Sequence, residues 1–485
     1  MSMISRRQFL ATGAACATGA LVPLSIAAPS WAGSPAATIG ASTRVLDIEG
    51  RAASVLGLAN ESGGQGLILD PGQRFRVRLE NQLDEDTIIH WHGQIPPHAQ
   101  DGVPGAPLPA LRSGEARDYD FEPLAGTHWM HSHIPQQEMR LLAAPLIVRS
   151  DEDLAADRQE VVAIFHDFSF ASPDELMAGI EHAPGHGGMD HGAMGHGGMD
   201  HGGMPGMSGM QGMEVDLNDI DFDAYLANDR TLADPEVVRV ERGGRVRLRL
   251  INGASATVFW IDTGAVEGRL VAVDGHEIEQ VAGHRFGFAM GQRLDIELDL
   301  PAGEGVYPIF ALREGERERT GIILATSGAR VERQDGLSEE ASPAFDYDLA
   351  QEARLHAARP LAARESVDMK MIMLGGTMSP YRWTINDRVW GGHVPIRARS
   401  GERVELMFHN MSMMAHPMHL HGHVFQVVGI GNRRIAGALR DTVHIPPMSM
   451  VTVALDGGEA ANWTLHCHHM PHLITGMMTE FVVAA

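Results

Sequence analysis

The chain of 485 residues is too long for one ordinary core and fits about two to four domains of roughly 100–200 residues. With 44% hydrophobic and 21% charged residues, it belongs among globular proteins rather than disordered or fibrous ones. Its 38 basic and 62 acidic residues give a net charge of −24, which argues against binding nucleic acid or an anionic membrane through general electrostatics. The 26 His and 27 Met beside two Cys point toward metal chemistry.

The first 32 residues have the layout of a twin-arginine export signal. Arg6 and Arg7 stand in the run SRRQFL, an Ala- and Gly-rich apolar stretch follows, and small residues mark a cleavage site near Ala32. The alternative, a membrane anchor, is weaker because Gly, Thr and Pro interrupt the apolar stretch. We therefore expect the Tat export machinery as a partner, a periplasmic or otherwise exported product, and no stable membrane insertion. Cleavage removes Cys16 and leaves Cys467, which cannot form an internal disulfide.

A ten-residue pattern occurs three times and defines the domain organisation. Each copy has Gly, any residue, Arg, then apolar residues at alternate positions and a final Asn, which is typical of a half-buried strand. The copies start 171 and 158 residues apart, a separation typical of domains. They predict three related all-β domains at about 35–152, 158–330 and 345–485. The copies are GQRFRVRLEN (72–81), GGRVRLRLIN (243–252) and GERVELMFHN (401–410).

Paired histidines distinguish the outer domains from the middle one. Nine residues after the final Asn, the outer repeats reach HWHG and HLHG, and each outer domain has a second pair, in HSH and HCH. The corresponding stretches of the middle domain hold no histidine pairs, so we expect that domain to be a metal-free spacer. Chance predicts roughly one His-x-His pair in this composition, whereas the chain has five. Residues i and i+2 of a strand share a face, so two imidazoles can converge on one metal cluster.

The C-terminal run around Cys467 predicts a second kind of metal site. If His466 and His468 face one side of a strand, Cys467 faces the other and serves a different metal ion. A His2Cys site with a distant Met is the blue-copper electron-transfer geometry, and His416, His472 and Met477 are available to complete it.

These motifs resemble the multicopper oxidase family, because HWHG, HSH, HPMHLHGH and HCHHMPHLITGMM match its four copper motifs in order. The resemblance covers the whole mature chain and implies three consecutive cupredoxin-like Greek-key β-barrel domains and four copper ions. It implies a type 1 copper on His416, Cys467, His472 and axial Met477 and a type 2 copper on His90 and His419. It assigns one type 3 copper to His92, His131 and His468 and the other to His133, His421 and His466.

The resemblance also implies an activity. One-electron oxidation of a reductant at the type 1 copper, with Cys467 as the electron path, is coupled to four-electron reduction of dioxygen to water. Asp101 matches a family acid near the trinuclear site and is the expected proton carrier; a solvated turn residue is the alternative. Leu473 occupies a position where many bacterial relatives have an acid, so Asp101 is expected to carry more of the proton transfer.

Residues 182–213 are almost only Gly, His, Met and Asp and are expected to be disordered without a ligand. Soft thioether sulfur prefers Cu(I), and imidazole accepts both copper states, so this segment, here called the insertion, is predicted to capture Cu(I) as a substrate. An inert linker is the alternative. The predicted donors are His186, Met189, His191, Met194, His196, Met199, His201, Met204, Met207, Met210 and Met213.

Three functions remain open from the sequence. The first is an exported cuprous oxidase in copper tolerance, the second a laccase acting mainly on phenols and aromatic amines, and the third a copper-sequestering protein. Further methionines could extend the Cu(I) path, although core packing or loop filling is the preferred interpretation for at least half of them. They are Met369, Met371, Met373, Met378, Met411, Met413 and Met414.

Overall fold

The computed structural model describes residues 37–182 and 217–485. The predicted export signal, and the insertion beyond His182, therefore lie outside the described residues. Within those two ranges no helix is long and apolar enough to cross a membrane. Strands are the main regular element of the described chain and its helices are few and short, which confirms the predicted all-β fold class. Its six sheets follow one another in three pairs along the chain.

The first pair of sheets contains eight strands and one short helix, α1 (Pro135–Glu138). The strands are β1 (Ala37–Ile48), β2 (Arg51–Asn60), β3 (Leu67–Leu69), β4 (Phe75–Asn81), β5 (Ile89–His92), β6 (Ala116–Phe121), β7 (Gly126–Ser132) and β8 (Ala143–Val148). One sheet has the order β2-β1-β4-β6 and the other β3-β8-β7-β5. This second sheet places the two His-containing strands β5 and β7 side by side.

The second pair contains eleven strands, preceded by α2 (Asp151–Ala155) and interrupted by α3 (Pro173–His182). The strands are β9 (Gln159–Phe168), β10 (Ala224–Ala227), β11 (Val237–Val240), β12 (Arg245–Asn252), β13 (Phe259–Asp262), β14 (Gly268–Val273), β15 (His276–Gly283), β16 (Arg285–Phe288), β17 (Arg293–Asp299), β18 (Val306–Arg313) and β19 (Arg319–Thr326). The sheet orders are β10-β9-β12-β17-β14-β15 and β11-β19-β18-β13-β16. His182, the first residue of the predicted insertion, is the last residue of α3.

The third pair contains twelve strands and the short helix α4 (Met470–Ile474). The strands are β20 (Asp368–Met378), β21 (Tyr381–Ile385), β22 (Ile396–Arg399), β23 (Arg403–Asn410), β24 (His416–Leu420), β25 (Phe425–Ile430), β26 (Arg433–Arg434), β27 (Leu439–Arg440), β28 (Thr442–Ile445), β29 (Met450–Asp456), β30 (Asn462–Cys467) and β31 (Met478–Ala484). One sheet has the order β21-β20-β23-β29-β25-β26, with β27 on β25, and the other β22-β31-β30-β24-β28.

The three sequence repeats form the same strand in each sheet pair. β4, β12 and β23 each have a parallel neighbour on one side and an antiparallel neighbour on the other. The final Asn of each repeat is buried, and its side chain closes the turn that follows. Asn252, for example, donates through Nδ2 to the carbonyls of Thr257 and Phe288, both at 3.0 Å, and accepts from the Ala254 amide. The repeat therefore encodes a strand together with its closing hydrogen bonds.

Strand register brings the histidines of each outer sheet pair together. His90 lies opposite His131 where β5 pairs with β7, and His419 lies opposite His466 where β24 pairs with β30. At the corresponding place in the second sheet pair, Ile261 lies opposite the small apolar residue Ala311. The difference between the outer and middle sheet pairs is thus one of side chains on a shared strand arrangement.

Each sheet pair encloses its own apolar core, and the cores do not follow the predicted boundaries everywhere. Phe345 and Leu355 precede β20 and fall within the predicted third domain, yet they pack in the core of the second sheet pair. Conversely, Ile180 of α3 and Ile220 fall within the predicted second domain but pack in the core of the third sheet pair. The chain on either side of the insertion is therefore anchored on the third sheet pair.

Replacing Asn252 with Ala is expected to lower the free energy of unfolding by about 3 kcal/mol or more, because it leaves buried backbone groups unpaired. Asn462→Ala is the control, since Asn462 is exposed and makes a single 3.3 Å side-chain hydrogen bond to Glu480. Urea unfolding of the two variants measures the difference. Equal stability would contradict the assigned role of the repeat Asn.

Candidate metal centres

Two histidines from different sheet pairs face each other at the centre of the molecule. The Nε2 atoms of His90 and His419 are 3.3 Å apart. Each ring has its Nδ1 against a backbone carbonyl, that of Asp101 for His90 and that of Asp441 for His419. The carbonyl contacts place a proton on each Nδ1, so both Nε2 lone pairs point at the same space.

Two further groups of three histidines flank this pair. His92, His131 and His468 have ligand atoms within 4.8 Å of one another, and so do His133, His421 and His466. The close contacts are between ring nitrogens: His92 Nδ1 is 3.3 Å from His131 Nε2, and His421 Nε2 is 3.1 Å from His466 Nε2. The structure thus brings together all eight histidines predicted for the trinuclear cluster, from β5, β7, β24, β30 and the residues that follow them.

The predicted type 1 residues gather on the opposite side of β30. Cys467 Sγ lies 3.8 Å from His416 Nδ1 and 3.6 Å from His472 Nδ1, and all three side chains are fully buried. Met477 is also buried, and its backbone bonds to the backbones of both Cys467 and His472. The alternation predicted for a strand therefore separates Cys467 from His466 and His468.

The donor set fits metal ions. Imidazole nitrogens 3.1–3.3 Å apart match two ligands of one first-row metal ion with bonds of about 2 Å. Burial lowers the pKa of His92, His131, His466 and His468 well below the usual value, so these rings are neutral and available as ligands. Both ring nitrogens of His468 are buried without a hydrogen-bond partner among the described residues. Burial raises the pKa of the Cys467 thiol, so a cation is needed to hold it as thiolate.

Two buried carboxylates hold ring nitrogens of the cluster. Asp101 Oδ2 is 2.8 Å from His421 Nδ1, and its Oδ1 is 3.4 Å from His90 Nδ1, so Asp101 is not a solvated turn residue. Glu138, in α1, was not anticipated from the sequence: its Oε2 lies 2.7 Å from His131 Nδ1 and its Oε1 3.7 Å from His468 Nδ1. Burial raises the pKa of Glu138 well above its usual value. Its position five residues after HSH is the only sequence signal for it.

The middle sheet pair contributes a buried arginine to the cluster surroundings. Arg293 Nη1 and Nη2 donate to the two oxygens of Asp441 at 2.7 and 2.5 Å. Asp441 Oδ1 is in turn 3.0 Å from His92 Nε2. Although burial by itself raises the pKa of Asp441, the Arg293 guanidinium holds it well below the usual value. The expectation that the middle domain is only a spacer was therefore wrong, because one of its strands supports a histidine of the first.

Comparisons with known proteins agree with this geometry. Three sequence models, each described as multicopper oxidase, match residues 41–153, 196–329 and 365–485. The multicopper oxidase MmcO of Mycobacterium tuberculosis is 28% identical, over 97% of this chain and 91% of its own. Copper resistance protein A of Pseudomonas syringae pv. tomato is 24% identical, over 99% of both chains. The crystal structure of a laccase from Botrytis aclada has the same fold, with a TM-score of 0.70 and 19% identity over 92% of this chain and 87% of that one.

The chain belongs to the multicopper oxidase family, whose members oxidise their substrates with dioxygen. The resemblance drawn from its copper motifs is thereby confirmed, and copper is the metal that the family implies. Which copper type each histidine group holds, and the total of four, remain predictions from the motifs.

Cys467→Ser is expected to abolish the blue thiolate-to-copper absorption band, because a serine hydroxyl supplies no soft thiolate ligand. Met478→Leu is the control, since Met478 is a half-buried neighbour of Met477 and is not a predicted ligand. Visible absorption and metal analysis of both variants test the assignment. A fully loaded serine variant that stayed blue would exclude Cys467 from the type 1 site.

Arg293→Leu is expected to destabilise the copper-free protein by about 3–5 kcal/mol, because it leaves the buried Asp441 carboxylate without its counter-charge. Arg269→Leu on the neighbouring strand β14 is the control: its partner Asp299 is 58% exposed, and its second partner Glu297 keeps Arg158 as a counter-charge, so the change should cost less than about 1 kcal/mol. Urea unfolding checks the stabilities. Equal losses in the two variants would rule out a special role for Arg293.

Proposed function

We propose that this protein is a cuprous oxidase, which oxidises Cu(I) to Cu(II) and reduces dioxygen to water, serving copper tolerance after export through the twin-arginine pathway. The observation that carries this proposal is the covering of His472. Its ring is fully buried, and its outer nitrogen, Nε2, lies 3.4 Å from Asp219 Oδ2. The Tyr381 hydroxyl donates to the same carboxylate oxygen. A carboxylate that is itself buried therefore covers the outer nitrogen of the imidazole.

The small size of the cavity near the type 1 residues favours a small reductant. A cavity of about 20 Å³ lies between Met414, His469 and neighbouring residues, which is room for about one water molecule. Pockets that enclose organic ligands are commonly about 300–1,000 Å³. This cavity is too small for a phenol ring, whereas a single cation needs far less space.

The placement of the insertion supports the same reductant. α3 leads into it, and the described chain resumes at Leu217, two residues before Asp219. Ile180 and Ile220 pack in the core of the third sheet pair, the pair that holds Cys467. The His- and Met-rich segment is therefore tethered at both ends to the sheet pair that contains the predicted type 1 residues. A tether of this kind raises the local concentration of a cation captured by the segment.

The proposed reaction gives a separate role to each group of buried residues. Bound copper would supply the one-electron chemistry that joins reductant oxidation to dioxygen reduction. His416, Cys467, His472 and Met477 would hold the first ion, while the peptide bonds between His466, Cys467 and His468 connect it to the histidine cluster. Asp101 fixes the His421 ring through Nδ1 and is the nearest carboxylate to both His421 and His90, which supports its proposed proton role. Burial of all these groups excludes bulk water.

A laccase acting on phenols is the alternative within the same family, and a protein that only sequesters copper is the third candidate. Oxygen consumption with Cu(I) as reductant separates the sequestering protein from the other two. The ratio of Cu(I) to phenol turnover separates the remaining pair.

Deleting residues 182–213 is expected to lower the rate of Cu(I) oxidation by about tenfold at sub-saturating copper, because tethered capture is lost. Phenol oxidation should be equal or faster, because a segment anchored beside the His472 edge is gone. Steady-state oxygen uptake with each reductant, at matched copper content, gives both rates.

The control replaces the same residues with a Gly/Ser segment of equal length. It removes the imidazole and thioether donors but keeps the bulk of the segment, so it should lower Cu(I) oxidation without the gain in phenol oxidation. If the parent and both variants oxidised Cu(I) with identical kinetics, the cuprous oxidase proposal would be wrong and the laccase alternative would replace it.

A further inference from the structure

A second group of soft donors, none of which belongs to the insertion, lies on the outer face of the third sheet pair. Three adjacent strands, β20, β23 and β29, present it. The group, here called the methionine face, consists of Met371, Met373, Met407, His409 and Met450. Only Met371 and Met373 were candidates for the Cu(I) path from the sequence, because the other three residues become their neighbours only through strand pairing.

Strand register defines two rows on this face. Met373 pairs with His409 across β20 and β23, and His409 pairs with Met450 across β23 and β29. In the next row, Met371 pairs with Met407. Directly paired residues share a face, and neighbouring strands lie about 4.7–4.9 Å apart. Side chains as long as Met and His can therefore bring their sulfur and nitrogen atoms to a common point above the sheet.

The alternation of burial shows that this face points away from the core. Ile372, Leu374 and Phe408, which alternate with the methionine face along the strands, are buried in the core. Met371 is 58% exposed, and the four other members are half-buried. Core packing, the preferred interpretation for many of these methionines, therefore fails to explain Met371, and it also fails for Met369 and Met411, which are 53% and 54% exposed.

The donors on this face have one chemistry in common. Four thioethers and one imidazole form a soft, uncharged set that prefers Cu(I) over hard cations such as Mg²⁺ or Ca²⁺. The His409 ring takes part in no hydrogen bond or ion pair with any described residue, so its nitrogens are available to a ligand. A phosphate or carboxylate ligand would find no cationic group among the five side chains.

We propose that the methionine face is a docking site for Cu(I), in which Met373, His409 and Met450 form the central donors and Met371 and Met407 flank them. Taking this cation as the enzyme's substrate rests on the proposed cuprous oxidase function, whereas the binding itself does not. None of the five residues belongs to the insertion, so the protein would have two sets of donors that can collect the same ion.

The position of the face suits delivery to the buried centre. His409 is three residues before Ser412, so their Cα atoms are at most about 11 Å apart. Ser412 Oγ is 2.9 Å from His416 Nε2, on the outer side of the predicted type 1 ligand. A cation on the methionine face is therefore held on the same end of the sheet pair as the residues that would receive its electron.

The test is Cu(I) titration of the full-length holoenzyme, fully reduced and kept under argon, with methionine methyl groups labelled with ¹³C. Without an oxidant the enzyme cannot turn over, so the measurement reports binding alone. Single Met→Leu variants, which nearly conserve volume, assign the resonances of Met371, Met373, Met407 and Met450. Met139, which is buried, and Met478, which is half-buried, lie outside the face and are the internal controls.

Cu(I), added as its acetonitrile complex, is expected to shift the four face resonances together and to leave the two controls unchanged. Met373→Leu combined with Met450→Leu should reduce the Cu(I) retained against a competing chelator by about one ion per protein. Unshifted face resonances, or unchanged retention in this double variant, would overturn the proposal. Either result would leave the proposed oxidase activity to be decided by the oxygen-uptake experiment.

Discussion

Buried imidazoles that face one another at 3.1–3.3 Å impose the main constraint on this structure. Each ring must be desolvated and neutral, and each needs its second nitrogen held so that the first points inward. Backbone carbonyls supply that contact for His90, His419 and His466. Carboxylates supply it for His421 and His131. Without a cation the inward lone pairs repel one another, so the folded protein strongly favours binding of a metal ion.

The need to hold the second nitrogen of each ring explains why all three sheet pairs contribute to the cluster, although its histidines come only from the first and third. The first and third pairs provide the histidines, but the outer nitrogen of His92 contacts Asp441, whose charge is balanced by Arg293 of the second. Arg440, next in the chain, is buried against Glu352 and against Asp274 of β14–β15. The second sheet pair therefore supports the cluster through buried ion pairs. Removing one partner of such a pair lowers the stability of the fold, because the other charge is left buried and uncompensated.

The sequence was sufficient for the parts of the structure that depend on short-range spacing. The alternation of β4, β12 and β23 predicted the strands, and the four His-x-His pairs predicted metal clusters in the outer domains. The grouping of the individual histidines came from the family resemblance. Glu138, Asp441 and Asp219 were not predictable in this way, because each reaches its histidine through tertiary contact and has no motif of its own. The methionine face was not predictable from the sequence for a related reason: Met373, His409 and Met450 lie on three strands that become neighbours only in the folded sheet.

The order of the ligands along the chain has a consequence for biosynthesis. His466, Cys467 and His468 each join a different metal-binding group, and His472 completes one of them. All four lie within seven consecutive residues, 466–472. A nascent chain therefore cannot complete any of these three groups before this short stretch is made, whereas the donors of β20 and β23 are made earlier. Loading of the buried centres is thus confined to chains that extend through His472, and a product truncated before His466 would lose a ligand from every one of those groups at once.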